Sequence, residues 1–189
     1  EGARLLARLH ALPLDPRLPP AGGPGRVIEA MTRLERLDPG TTGAASMVIR
    51  QAFGTLPSGM PPRPRSGLTH GDWHLGQMVR IDGRWILIDI DDLGVGDPAW
   101  DLARPAAFYA ADLLGPAVWD RFLSAYLEAG GWAVPAADPW RELDVPARAL
   151  TVQLAAQAVV RARGEHRPLD ETEEAMVASC ARISRLAHR

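Results

Sequence analysis

The sequence predicts a mainly α domain with one small β-hairpin set into its middle, an α+β class. Three observations carry this expectation. Apolar residues recur at helical spacing over most of the chain. Near the centre, Asp82-Gly83 separates two short apolar runs, Met78 to Arg80 and Trp85 to Ile88, and an Asp-Gly pair in that setting signals a tight type I′ turn. The 189 residues show no internal repeat and no linker long enough to divide them, so residues 1–189 read as a single domain.

Taken in order, residues 3–12 place Leu5, Leu6, Leu9 and Leu12 on one helical face, and Pro13 ends the helix. His10 sits beside that stripe and reads as a packed or partly exposed structural histidine. Residues 13–25 are rich in proline and glycine and read as a loop. A helix over 26–37 turns Val27, Met31, Leu34 and Leu37 inward and stops at Asp38-Pro39-Gly40. The next, over 43–56, uses Ala45, Val48, Ile49, Ala52 and Phe53. Residues 57–65 form a stiff proline-rich connection, read as a surface loop in preference to a PxxP ligand.

Beyond the hairpin, Gly96-Asp97-Pro98 is a helix start, with Asp97 as cap and Pro98 at the first helical position. That helix runs towards Tyr109 and carries Asp101 in its first turn, where an acid suits the macrodipole. Residues 116–129 give a helix with Val118, Trp119, Phe122, Leu123, Tyr126 and Leu127 on its apolar side. A long helix over 139–163 buries Leu143, Leu150, Leu154 and Val159 or Val160. The last, over 170–188, opens on Asp170-Glu171-Thr172-Glu173-Glu174.

Composition narrows the function classes. A net charge of −2 and a pI near 6.2 argue against a general nucleic-acid binder. No apolar run is long enough to span a bilayer and no signal-peptide pattern opens the chain. The lone cysteine, Cys180, excludes an internal disulfide framework, fits a reducing cytoplasm, and sits among apolar helix positions as a core residue. All 21 basic residues are arginine, and asparagine is absent as well. With so much Ala, Pro, Gly and Arg, a composition bias accounts for this in general.

The chemistry gathers between Thr69 and Leu102. His70-Gly71-Asp72 is followed by Gln77, then the hairpin, then Asp89-Ile90-Asp91-Asp92. A hairpin with Asp72 and Gln77 at one end and Asp89 and Asp91 at the other folds these side chains back towards one another. Carboxylate and amide oxygens at one edge of a small sheet suit Mg²⁺, which takes hard oxygen ligands at about 2.0–2.1 Å.

In order, HGDWHLGQ, IDID and GDPAWDLA resemble the catalytic segment of the aminoglycoside phosphotransferase and choline kinase-like family, whose pattern is H-G-D-x-x-x-x-N, I-D-[WF]-[DE], G-D-P-x-x-D-L-A. The resemblance covers about 35 residues directly and implies the C-terminal lobe of a protein-kinase-like fold. It implies an ATP-dependent transfer of the γ-phosphate to a hydroxyl of a small molecule: an aminoglycoside, a sugar or an amino alcohol. Asp72 would be the catalytic base, Asp89 and Gln77 the Mg²⁺ ligands, and Asp91 either a further ligand or a residue that orders the loop. His70 would orient the loop and Asp101 brace its backbone. Gln77 stands where the family has asparagine, keeping the amide oxygen on a longer arm; a similar HGDxHLGQ occurs in some sugar-kinase members.

Kinases of this fold hold the phosphates with a lysine and a glycine-rich loop on a small lobe. This chain has no lysine, and Ala21-Gly22-Gly23-Pro24-Gly25 is too proline-broken to serve as that loop. The expectation is that the nucleotide-gripping N-terminal lobe precedes Glu1, and that this fragment alone is inactive. A degenerate kinase-like binding or regulatory module is the second reading. A metallophosphoesterase, suggested by Gly71-Asp72-Trp73-His74, is the third; only His166 and His188 follow as further histidine ligands. His74 reads as a loop residue near the substrate mouth. Acids in the later helices (Asp112, Asp120, Glu128, Asp138, Glu142, Asp144) read as a solvated face before a pocket for an aminosugar.

Overall fold

The computed structural model describes residues 1–15, 17–39, 43–58, 60 and 66–187. The helices are α1 (Gly2–His10), α2 (Gly23–Leu37), α3 (Ala44–Gly54), α4 (Ala99–Ala110), α5 (Pro116–Glu128), α6 (Trp140–Gly164) and α7 (Glu171–Ala187). The strands are β1 (Gly67–Thr69), β2 (Met78–Ile81), β3 (Arg84–Leu87) and β4 (Gly94–Gly96), with a short 3₁₀ turn over Leu75–Gln77. The class is as expected: mostly helical, with small antiparallel sheets. The proline-rich stretch 61–65 and the end of the last helix at His188 lie outside the described residues.

α6 is the axis of the packing. It lies against α2, α3, α4 and α7. Its burial runs round the helix, from Leu143 and Ala147 through Leu150, Val152, Ala155 and Ala156 to Val159, as a helix surrounded by others requires. Small alanines let its neighbours approach closely. α6 joins two cores. One unites α2, α3, α6 and α7 around Val27, Leu34, Ile49, Ala52, Met176 and Cys180. The other unites α1, α4 and α5 around Leu6, Trp73, Leu102, Trp119 and Tyr126.

α1 differs in which face it buries. Ala3, Leu6, Ala7 and His10 point inward. Leu12 lies beyond the helix end and is 52% exposed, so the stripe is 3, 6, 7 and 10. Small residues and a histidine concealed it from a search for leucines. Full burial of Leu6 contributes about 1.5–3 kcal/mol and anchors the helix.

α2 begins earlier than its periodicity suggests. Gly23-Pro24-Gly25 is its first turn, with proline in the position its missing N–H favours, and the ring of Trp100 packs against the Gly23 backbone. Val27, Met31 and Leu34 are buried as expected, while Leu37 is exposed. α4 begins at Ala99: Pro98 is its cap residue, and the Asp97 carboxylate accepts the Ala99 N–H at 3.0 Å.

The hairpin pairs Met78 with Leu87 and Ile81 with Arg84, so its strands are shifted by one residue at the turn from the expected runs. Asp82 and Gly83 both have positive φ (49° and 77°), as a type I′ turn demands. A second ladder, β1 with β4, was not foreseen. It pairs Gly67 with Gly96 and Thr69 with Gly94, and Pro20 bridges to Val95 on its other edge. This ladder joins the two ends of the segment that carries the site, and the hairpin lies between them. Among the described residues, no helix is long and apolar enough to cross a membrane.

Candidate active site

The loop after β1 carries His70, Gly71 and Asp72. Gly71 has φ +87°, and a Cβ there would collide with the Asp92 carbonyl oxygen. Only glycine fits, for both conformational and steric reasons. The loop therefore presses its backbone against the acidic turn that follows β3.

Asp101, on the first turn of α4, holds this loop from beneath. Its Oδ2 accepts the His70 N–H at 2.7 Å and its Oδ1 accepts the Gly71 N–H at 2.9 Å. Asp101 is 2% exposed, and a buried carboxylate is tolerable only when its oxygens are so occupied. His10 adds a third donor through Nε2, 3.0 Å from Asp101 Oδ2. A carboxylate can only accept, so Nε2 bears the proton. Tyr126 then donates its hydroxyl proton to His10 Nδ1 across 2.8 Å while accepting the Ala133 N–H at 3.1 Å. Burial raises the Tyr126 phenol above its usual range, which keeps that donor in place. α1, α4 and α5 thus meet in one buried polar chain ending at the loop. Sequence reading placed His10 near the core but missed its partner Tyr126, since 116 residues separate the two.

The hairpin brings Gln77 and Asp89 together: Gln77 Nε2 donates to Asp89 Oδ2 at 2.7 Å. Gln77 is buried and Asp89 exposed. Asp89 adopts a left-handed backbone with φ +58°, an unusual state for a residue with a side chain, costing on the order of 1 kcal/mol. His70 Nε2 donates to the Ile88 carbonyl at 2.9 Å, tying the loop to the residue before Asp89. Asp91 and Asp92 follow in an exposed turn.

Two arginines escaped the sequence reading. Arg104 Nη2 donates to Asp72 Oδ1 at 2.9 Å, and Arg26 Nη1 lies 3.5 Å from the same oxygen. Arg26 also donates to the Gly71 carbonyl and pairs with Asp92 at 3.0 Å. That gives Asp92, which had no assigned role, a partner on α2. No motif marks such pairs, because helices far apart in the chain supply them. His74 lies in the same field: partial burial, and then the Arg104 guanidinium, lower its pKa. Its Nδ1 accepts the Gly76 N–H at 3.0 Å.

One ring nitrogen of each histidine is thus engaged by the backbone, His70 Nε2 by Ile88 and His74 Nδ1 by Gly76, while His70 Nδ1 is buried without a partner. Among the described residues, no three His, Cys, Asp or Glu side chains gather as a metal-binding cluster. Cys180 is fully buried, and burial pushes its thiol up to about 12, so it is a core residue.

Comparison with curated proteins finds no match. Among solved structures, the chain is similar to the apoenzyme of macrolide 2'-phosphotransferase MphH from Brachybacterium faecium, with a TM-score of 0.51 and 21% identity. The match covers 95% of this chain and 59% of that one, so this chain spans about three-fifths of its neighbour's length. At that identity the likeness speaks for the fold. The model of the phosphotransferase enzyme family, APH, matches residues 2–143, the part that holds the loop, hairpin and brace. The chain belongs to the phosphotransferase enzyme family.

Proposed function

We propose that residues 1–189 are the large lobe of an ATP-dependent phosphotransferase that moves the γ-phosphate to a hydroxyl of a small molecule. Asp72 is the base, on a loop whose backbone Asp101 holds. The acceptor O–H gives its proton to the Asp72 carboxylate as its oxygen bonds to the γ-phosphorus. The bond from that phosphorus to the β,γ-bridging oxygen breaks, and its electron pair leaves on ADP. Base assistance of this kind contributes about 10²–10⁴-fold.

The observation that carries the reading is the Gln77–Asp89 contact of 2.7 Å on the hairpin edge following the Asp72 loop. The donor chemistry fits Mg²⁺: a solvent-facing carboxylate beside a carboxamide whose oxygen a half-turn of the amide would present. Asp89 and Gln77 would hold the ion, and Asp91 either joins them or orders the turn. When bound, the ion supplies charge neutralisation on the phosphates. His70 orients the loop through Ile88.

In this reading a nucleotide-gripping lobe with a lysine of its own completes the enzyme, and the isolated chain is inactive. A cytoplasmic setting, where ATP is at hand, goes with it, and no nucleic acid or membrane takes part. The test is a transfer screen of the complete protein against aminoglycosides, neutral sugars and amino alcohols, with a macrolide added because the structural neighbour is named for one. The expected result is Mg²⁺-dependent ADP formation with one class, lost in Asp72→Asn. Equal turnover by that variant would remove Asp72 from its role. Absence of transfer with every class would favour the degenerate binding module.

A further inference from the structure

We propose that Arg104 is a positioning residue for the transfer: with Arg26 it pins one oxygen of Asp72 and leaves the other to take the acceptor's proton. This rests on Asp72 being the base. Arg104 Nη2 and Arg26 Nη1 both converge on Asp72 Oδ1, at 2.9 and 3.5 Å. Among the described residues, no hydrogen bond is made to Oδ2. The carboxylate is therefore divided into a held oxygen and a free one.

α4 sets this arrangement up. Asp101 and Arg104 are three residues apart on that helix, so they share a face. Asp101 takes the backbone N–H groups of His70 and Gly71, and Arg104 takes the side chain of the next residue. One rigid helix thus fixes both the path of the loop and the direction of its carboxylate. Arg26 reaches in from α2 and locks the far side through the Gly71 carbonyl and Asp92.

The Arg104 side chain is 20% exposed, and its Nε is buried with no hydrogen-bond partner. Keeping a guanidinium there costs desolvation that packing alone does not return. Its charge-assisted bond to Asp72 is the compensating contact. A carboxylate on a free rotor would present either oxygen over a wide arc. Productive geometry needs it held to about 0.5 Å and 10–20°, and the guanidinium does that without touching the acceptor.

The test uses the complete protein and compares Arg104→Gln in two backgrounds. With Asp72 intact, kcat should fall about 10- to 100-fold while the KM values for ATP and acceptor move less than about threefold. With Asp72→Asn already present, Arg104→Gln should cost nothing further, because there is no base left to aim. Added guanidinium ion should restore part of the kcat of Arg104→Ala. A crystal structure of Arg104→Gln should show the Asp72 side chain rotated from its present position. If Arg104→Gln fails to fold, Arg104→Lys carries the same comparison with charge and stem retained.

Unchanged kcat, a KM rise alone, or an equal loss in both backgrounds would overturn the inference, as would an unmoved Asp72 carboxylate. Should Asp72→Asn itself turn over normally, the base assignment fails and this inference with it. Should Asp72→Asn be dead and Arg104→Gln fully active, only the role of Arg104 falls.

Discussion

His10 and Asp101, 91 residues apart, meet at 3.0 Å with both side chains buried, and through Asp101 the first helix reaches the loop that carries Asp72. The contact is one step in a chain that starts at the Ala133 N–H and passes Tyr126 and His10 to end on two backbone amides. Every polar atom in it has a partner. Truncation at His10 would leave Asp101 and Tyr126 each short of one. His10→Ala is expected to lower stability by about 2–4 kcal/mol, combining lost packing with unpaired buried polar groups. Tyr126→Phe, which keeps the ring, is expected to cost about 1–2 kcal/mol. Urea unfolding checks both. Wild-type stability for His10→Ala would show that the chain is a bystander.

Gly71 is expected to tolerate no side chain. A methyl there meets the Asp92 carbonyl oxygen at a backbone angle that already disfavours it. Gly83 shares the positive φ yet has open space around its Cβ position. Gly83→Ala should therefore cost only about 1 kcal/mol and leave transfer intact. Gly71→Ala should abolish transfer by displacing the Asp72 loop from the Asp92 turn. Thermal unfolding and turnover measured side by side separate the two.

Much of this was legible in the chain because the signals were local. Asp82-Gly83 announced its turn, and the order of HGDWHLGQ, IDID and GDPAWDLA placed Asp72 before the hairpin, Asp89 after it and Asp101 in the first turn of a helix, whereas the 3₁₀ turn that holds Gln77 was not foreseen. What stayed hidden is non-local or small. β1 and β4 are three residues each, glycine-rich, and too short for a period of two to register. Arg104 looked like any surface arginine, since its partner Asp72 lies 32 residues away. α1 buries alanines and a histidine, which a search for leucines passes over.

The start of α7 is a reciprocal cap that responds to acid. Asp170 accepts the Glu173 N–H at 2.8 Å while Glu173 accepts the Asp170 N–H at 3.0 Å. The Arg167 side chain, bonded to both Glu173 oxygens, holds that carboxyl down at about 2 from an ordinary 4.5. A group whose folded pKa is depressed stabilises fully above its unfolded value and loses that contribution as pH falls through the folded one. Glu173→Gln should thus be less stable than wild type at pH 7, with the gap narrowing between pH 4.5 and 2. Urea midpoints at pH 7 and pH 3 measure it; a constant gap would contradict the cap's dependence on charge.

Cys180 offers a check on the core formed by α6 and α7. Its thiol is fully buried and its pKa raised to about 12, so almost none is thiolate at pH 8. Reaction with a thiol reagent should proceed only as the protein unfolds, and should accelerate with urea. Rapid labelling of the native chain would place α7 elsewhere.

The account turns on the hairpin edge where Gln77 and Asp89 face each other. Mn²⁺ titrated into the ¹⁵N-labelled complete protein, with a non-hydrolysable ATP analogue present, reads that edge directly through paramagnetic broadening. The predicted result is early loss of the Gln77 side-chain amide signals and of the backbone signals at Asp72 and Asp89, reversed by Asp89→Asn. Broadening that spares these residues, or that persists unchanged in the variant, would contradict a divalent-cation site at this hairpin.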